Sequence, residues 1–273
     1  MNEAGTRADA TPDPAPGMRT VLVTGGSRGI GAATSLLCAA RGYAVAVNYA
    51  HDDSAAERIV AGIRERGGRA MAVRADVAVD AEVTAMFEAV DRDLPPLAAL
   101  VNNAGVVDRP ARVDAMTPER LRRMFAINVY GTFYCSREAV RRMSTRPAEP
   151  RWQAAGGHRG GAIVNLSSVA ARLGGAMQYV DYAAAKGAID SFTIGLAKEV
   201  ANEGIRVNAV RPGIIETEIH ASGGFPDRAR QMAPQVPLQR PGTAEEVAEA
   251  ICWLLSDAAS YTTGSILDVA GGR

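Results

Sequence analysis

Seven short apolar runs punctuate the chain: Arg19–Thr24, Tyr43–Asn48, Arg69–Arg74, Leu97–Asn102, Ala162–Leu166, Arg206–Val210 and Ser265–Val269. Most are continuously hydrophobic rather than alternating, which is the pattern of strands covered on both faces. The longer segments between them carry apolar residues at helical spacing. Strands alternating with helices predict an α/β architecture: one doubly wound Rossmann-type domain with a seven-stranded parallel sheet, helices on both faces and right-handed crossovers. No internal repeat interrupts the alternation.

The helix boundaries are marked by side chains that compete for free backbone N–H groups. Ser54-Ala-Ala-Glu57 has the spacing of a capping box, and Gly67 supplies the stop. Thr117 followed by Pro118 offers an N-cap and a first-turn proline for a helix expected to run to Met143. A further helix is expected from Tyr179 to Asn202, and Thr243-Ala-Glu-Glu246 opens one running to Ser256. Two stretches break the rhythm. Residues 144–161 read as a surface insertion. Residues 216–241 hold Gly223, Gly224, Pro226, Pro234, Pro237 and Pro241, a density of breakers that suits a lid or a loose loop. The domain is expected to span 18–273, with a substrate lid over 214–240. Residues 1–17 are polar, rich in Ala, Pro and Asp, and expected to form a disordered tail without the apolar core of a secretory signal.

Composition narrows the classes of function. Of 273 residues, 47% are hydrophobic and 22% charged, ordinary for a soluble globule. Lys+Arg and Asp+Glu are balanced at 30 each, without the basic excess of a nucleic-acid binder. The cluster Arg120, Arg122, Arg123 is read as a solvated helix face. No apolar run reaches the roughly 20 residues of a membrane span, so a cytoplasmic location is expected. Cys38, Cys135 and Cys252 are far apart in helical patterns and are read as small buried hydrophobes. With His51, His158 and His220 also scattered, no metal site is expected.

Candidate chemistry falls at strand ends. The first strand runs into Thr24-Gly-Gly-Ser-Arg-Gly-Ile-Gly31. Glycines at 25, 29 and 31 permit a tight turn that delivers a helix N-terminus to a pyrophosphate. The end of the second strand offers Asn48 and then His51, where NAD sites often place an acid. Arg28 in the turn could face a 2′-phosphate with His51 helping, so NADP(H) is favoured over NAD(H). In the other reading Arg28 and His51 face solvent and Asp52 supplies an NAD-type contact. Tyr182 and Lys186 are four residues apart on one helix face. A tyrosine ordinarily ionises near 10, and a neighbouring ammonium is expected to lower that value enough for acid–base work on a carbonyl or alcohol. Ser168 follows a strand C-terminus and could hydrogen-bond the substrate oxygen. Asn103-Ala-Gly105 follows another. Asn128 lies mid-helix, where asparagine is a poor helix former, and its amide could hold a water that relays protons to Lys186.

In combination and order these motifs resemble the short-chain dehydrogenase/reductase family, from about Arg19 to Arg273. The resemblance rests on Thr24 to Gly31, Asp76-Val77, Asn102 to Gly105, Asn128, Ser168, Tyr182 with Lys186, and Arg211-Pro212-Gly213. It implies Tyr182 as general acid/base, Ser168 orienting the substrate, Lys186 adjusting the tyrosine and holding the nicotinamide ribose, and Asn128 anchoring the relay. For the cofactor it implies Gly25, Ser27, Arg28, Gly29, Ile30 and Gly31 at the phosphates, and Asp76 and Val77 at the adenine. Asn103, Ala104 and Gly105 would lie along the adenosine side, with Pro212, Gly213, Ile215 and Thr217 at the nicotinamide end. The spacing of 14 residues from Ser168 to Tyr182 is one longer than the family's more frequent 13. Among family members the chain looks like bacterial 3-oxoacyl-carrier-protein reductases or glucose 1-dehydrogenase-like enzymes acting on a small carbonyl or alcohol. A homotetramer is implied, with Tyr134, Ile189 and Phe192 as candidate contacts. The rival reading is a catalytically idle dinucleotide-binding or redox-sensing protein. Retention of Asn128, Ser168, Tyr182 and Lys186 argues against it.

Overall fold

The computed structural model describes residues 17–146, 160–218, 225 and 227–273. Positions 1–16 of the expected tail, 147–159 of the insertion, and 219–224 and 226 of the lid lie outside the described residues, and with them His158 and His220.

The strands are β1 (Thr20–Val23), β2 (Ala44–Tyr49), β3 (Ala70–Arg74), β4 (Leu97–Asn102), β5 (Gly161–Leu166), β6 (Ile205–Pro212) and β7 (Ile266–Val269). They form one sheet in the order β3-β2-β1-β4-β5-β6-β7, and every pairing is parallel. All seven expected runs are therefore strands, displaced by a residue or two at some ends. The helices are α1 (Gly29–Ala40), α2 (Asp53–Arg64), α3 (Asp80–Asp93), α4 (Pro118–Phe125), α5 (Gly131–Met143), α6 (Ala170–Leu173), α7 (Val180–Val200), α8 (Arg228–Met232) and α9 (Ala244–Leu255).

Successive strand residues point to opposite faces, and two hydrophobic layers result. Val21, Val23, Val45, Val47 and Val164 pack with Cys38, Val60, Ile63, Val247 and Ile251 of α1, α2 and α9. Leu22, Ala46, Leu100, Ile163 and Val207 pack with Val83, Phe87, Cys135 and Ala197 of α3, α5 and α7. The three cysteines are buried as expected, and Cys38 Sγ lies 3.4 Å from Cys252 Sγ where α1 meets α9. A buried polar chain crosses the second layer. Asn102 Nδ2 donates to Ser136 Oγ (3.0 Å) and Asn165 Oδ1 (2.8 Å), and Asn165 Nδ2 donates to Thr193 Oγ1 (2.9 Å).

Three local expectations are corrected. The cap of α2 is Asp52, whose carboxylate accepts from Ala55 N at 2.9 Å; the acid nearest the first free N–H groups wins over the Ser54 box. The helix expected from Pro118 to Met143 is split by a π-helical turn over Ala126–Tyr130, and Asn128 sits in that turn. Arg120 is not on a solvated face. Its guanidinium pairs with Asp181 at 2.8 Å, with side chains only 11% and 0% exposed, which ties α4 to the start of α7. Arg122 and Arg123 are exposed as expected. The N-cap at Thr117 forms as read, its side chain accepting from Arg120 N, and the helix opens at Thr243 as read, with Thr243 and Glu246 capping each other reciprocally.

Candidate active site

Strand order reverses between β1 and β4, and a crevice opens beyond the strand C-termini at such a switch point. Two lobes share Ile30, Asn103, Gly105 and Thr217, so they form one continuous cleft. One lobe, about 520 Å³, runs past Gly25, Ser27, Arg28, Asn48, His51, Asp76, Val77 and Ala104. The other, about 510 Å³, is lined by Asn128, Ser168, Tyr182, Lys186, Pro212, Gly213 and Ile215, among others. Every candidate residue read from the sequence lines this cleft except Gly31, which is buried behind the turn.

The first lobe is shaped for a phosphate-bearing ligand. Gly25 and Gly29 have φ of +59° and +51°, the left-handed region that favours glycine. A Cβ on Gly31 would stand 2.2 Å from the Gly25 carbonyl oxygen, so only glycine lets the turn close. No side chain caps the N-terminus of α1 and no acid lies in its first turn, which leaves its free N–H groups for an anion. Other candidates hold this turn rather than face the cleft with free polar groups. Asn48 is buried; its Oδ1 accepts from Gly25 N (3.2 Å) and its Nδ2 donates to Ala75 O (3.0 Å). Asn103 Nδ2 donates to Thr24 O and Gly25 O (2.8 and 3.0 Å). The Thr24 hydroxyl accepts from the N–H groups of Asn103 and Ala104, both at 3.0 Å. Val77 presents backbone, its side chain packing on Gly131. Ile215 is likewise buried, against Gly242. Arg28 and His51 are exposed at the rim.

The second lobe holds the reactive cluster. Ser168 and Tyr182 line it together, and Ser168 Oγ accepts from Ala170 N at 3.2 Å. The neighbouring Ser167 is turned inward, donating to Lys186 O at 3.2 Å, so Ser168 is the serine that faces the cleft. Lys186 is buried, donates from Nζ to Leu166 O at 2.7 Å, and sits 5.6 Å from the centroid of the Tyr182 ring. Burial pulls its ammonium down to about 8, opposed by the negative charge of Asp190. Burial pushes the Tyr182 phenol up to about 12, opposed by the nearby Ser168 hydroxyl. This reverses the sequence expectation of a phenol made more acidic by its lysine. The cation lies against the ring and is spent on a carbonyl, so loss of solvent dominates. Asn128 Oδ1 accepts from Val106 N (3.2 Å), and its Nδ2 donates to Val106 O and Met124 O (3.1 and 3.0 Å). Its amide thus holds the segment after Gly105. A Cβ at Gly105 would meet both Asn128 Oδ1 (2.8 Å) and Lys186 Nζ (3.6 Å).

Sequence reasoning had no means of finding Gln178, Tyr179, Arg228, Met232, Gln235 and Arg273, which complete the wall of this lobe. Between Ser168 and Tyr182, Gly174, Gly175 and Met177 take positive φ (75°, 59° and 63°). Among the described residues no cluster of three or more His, Cys, Asp or Glu side chains could hold a metal, and no helix is long and apolar enough to cross a membrane.

A parallel doubly wound sheet, with a glycine turn at one end of its edge cleft and a Ser–Tyr–Lys cluster at the other, defines an oxidoreductase of the dinucleotide-fold class. A family model described as enoyl-(acyl carrier protein) reductase matches residues 25–273. The chain belongs to the short-chain dehydrogenase/reductase family. It is 54% identical to "Uncharacterized oxidoreductase YgfF" of Escherichia coli K12, over 94% of this chain and 100% of that one. It is 38% identical to a 3-oxoacyl-[acyl-carrier-protein] reductase of Synechocystis (93% and 96% covered). It is also 38% identical to 3beta-hydroxysteroid dehydrogenase 1 of Eggerthella lenta (93% of each covered). A 3-ketoacyl-(acyl-carrier-protein) reductase from Brucella melitensis, solved with NADH, superposes with TM-score 0.83 at 31% identity over 93% of this chain and 98% of that one. A short chain dehydrogenase from Burkholderia cenocepacia, solved with NADP, does so with TM-score 0.83 at 32% identity over 95% and 99%.

Proposed function

We propose that this chain is a nicotinamide-dependent oxidoreductase, favouring NADP(H), that interconverts a small carbonyl and its alcohol. The observation that carries the reading is that Ser168, Tyr182 and buried Lys186 line one lobe, continuous with the glycine turn. Gly25, Ser27, Gly29, Ile30 and Gly31 with the α1 N-terminus would hold the pyrophosphate. Asp76 and Val77 would flank the adenine, and Asn103, Ala104 and Gly105 would lie along the adenosine side. Pro212, Gly213, Ile215 and Thr217 would flank the nicotinamide, with Lys186 at its ribose. A nicotinamide bound there supplies or accepts the hydride.

The chain's own groups manage the proton. Tyr182, kept protonated through the neutral range by burial, donates its proton to a carbonyl oxygen held by the Ser168 hydroxyl; in the alcohol direction it takes the proton back. Asn128 fixes the Gly105–Val106 segment, and Oδ1 keeps a second lone pair for a relay toward Lys186. For the cofactor choice, Asp52 is engaged as the cap of α2 and Asp53 is not among the residues lining the cleft, whereas Arg28 stands exposed at the rim. Relatives at one level of identity carry different substrate names, an acyl carrier thioester and a steroid, so family membership alone does not select the substrate. A homotetramer is proposed with it, built on the apolar helix faces described in the Discussion.

The test is Tyr182→Phe followed by nicotinamide absorbance over a carbonyl and alcohol panel with both cofactors. Turnover is expected to fall by about 10²–10⁴-fold while cofactor affinity stays near that of the native chain. Undiminished turnover defeats the assignment.

A further inference from the structure

The second lobe carries a charge pattern that the proton chemistry does not use. Among the described residues that line it there are three cations, Lys186, Arg228 and Arg273, and no Asp or Glu. Lys186 is accounted for: its Nζ binds Leu166 O, and Asp190 lies near enough to oppose its loss of charge. Arg228 is different. It is the first residue of α8, in the segment that borders the cleft mouth, and is half-buried. Its Nη1 donates to the Tyr179 hydroxyl at 3.0 Å and its Nη2 to Gln178 Oε1 at 2.9 Å. The guanidinium carbon lies 4.9 Å from the centroid of the Tyr179 ring. These contacts are to neutral groups. They fix the plane of the guanidinium and, among the described residues, engage neither Nε nor the second hydrogen on each Nη. Tyr179 directly precedes α7, the helix that carries Tyr182, and Ala111 N donates to Gln178 O at 3.0 Å. The arginine is therefore held by the rigid wall that also holds the candidate acid.

We infer that the substrate is a small oxo or hydroxy acid whose carboxylate is bound by Arg228 while its carbonyl or alcohol lies at Ser168 and Tyr182. A fixed guanidinium fork matches a planar carboxylate, and no Asp or Glu side chain on the described wall opposes it. Val107, Leu173 and Met232 line the same lobe and suit a short hydrocarbon spacer between the two polar ends. The carboxylate is a spectator in the proton and hydride chemistry; it selects and orients. This inference rests on the carbonyl–alcohol reading of the same site, so its test separates the two.

Binding is measured by calorimetry on the full-length chain and on Tyr182→Phe, using cyclohexanecarboxylate and its neutral isostere cyclohexanecarboxamide. Turnover is measured with 4-oxopentanoate and its methyl ester. The carboxylate is expected to bind at least about tenfold tighter than the amide in both proteins, since a charged fork left unpaired by the neutral ligand penalises it. The same preference is expected in kcat/KM for acid over ester. Arg228→Gln is expected to bring both ratios to about one, and Arg228→Lys to keep part of them, because charge survives and the fork does not. Equal affinity for carboxylate and amide, or no measurable binding of either, overturns the inference. So does an Arg228→Gln chain that weakens both ligands alike, which marks the arginine as a latch between α8 and Tyr179. Retained carboxylate preference with no turnover of any panel member sinks the hydride-transfer reading and leaves the anion site standing.

Discussion

Lys186 and Tyr182 bear opposite consequences of one burial. The lysine is held near 8 against an ordinary value of about 10.4, and the tyrosine near 12 against about 10. Below pH 8 Lys186 is charged in folded and unfolded chains alike, and the folded chain bears the full desolvation cost. Between pH 8 and about 10.4 the unfolded chain binds more protons than the folded one, so this group makes stability rise with pH. Lys186→Met is thus expected to raise Tm by a few degrees at pH 7, with the advantage shrinking as pH climbs through that window and with turnover lost; differential scanning fluorimetry from pH 7 to 9.5 reads it. A variant that melts lower at pH 7 would mean that the Leu166 carbonyl bond outweighs desolvation. At the other lobe, Arg28→Ala is expected to weaken NADPH by about tenfold or more while changing NADH little, because only the former has a 2′-phosphate for the guanidinium. Fluorescence titration with both dinucleotides checks it, and equal losses would remove Arg28 from that role.

At the scale of elements, the cleft is made by strand ends that present backbone and by side chains spent on holding backbone. Asn48, Asn103 and Thr24 fix the turn between β1 and α1, and Asn128 fixes the segment after β4 from within a π turn. Such π turns recur at functional sites because the extra residue re-aims a side chain. The turn into α1 has the least room. Gly31→Ala would place a methyl group 2.2 Å from the Gly25 carbonyl oxygen and 2.5 Å from Asn103 Nδ2. The turn must open, at a cost of about 1–3 kcal/mol. Both dinucleotides are expected to bind at least tenfold more weakly, with a lower urea midpoint; native affinity in that variant would show that the turn does not touch the ligand. The sequence spacing gave the glycine turn and the Tyr182–Lys186 helix directly, since both are local. The π turn could not be read, because Pro118 to Met143 keeps a helical pattern throughout, and the contact of Asn128 with Val106 joins segments 22 residues apart.

For the whole molecule, the helices that flank the reactive cluster also present apolar surface. Tyr130, Phe133 and Ile194 are 54%, 45% and 40% exposed, and Phe133 packs on Phe192 with ring centroids 4.0 Å apart. Of the contacts expected from sequence, Ile189 is only 1% exposed and belongs to the interior of the chain, so it cannot serve between subunits; Tyr134 packs partly against the core. Exposed apolar side chains of this kind, with the Phe133–Phe192 pair among them, suit association with a second copy. Phe133→Glu is expected to convert the proposed tetramer to smaller species in sedimentation analysis at micromolar concentration, and an unchanged distribution would exclude this face from the interface.

The amino-acid sequence by itself determined the alternation of strands and helices, the parallel sheet, the glycine turn, and the placement of Ser168 after a strand end and of Tyr182 and Lys186 on one helix. Each of these rests on periodicity or short-range spacing, which the chain carries locally. Tertiary structure alone decided that burial makes the Tyr182 phenol less acidic, that Arg120 is a buried partner of Asp181, and that Arg228 meets Gln178 and Tyr179 about 50 residues away in sequence. Those outcomes depend on dielectric surroundings and on which distant side chains share a wall, and both exist only once the strands have been ordered into the sheet.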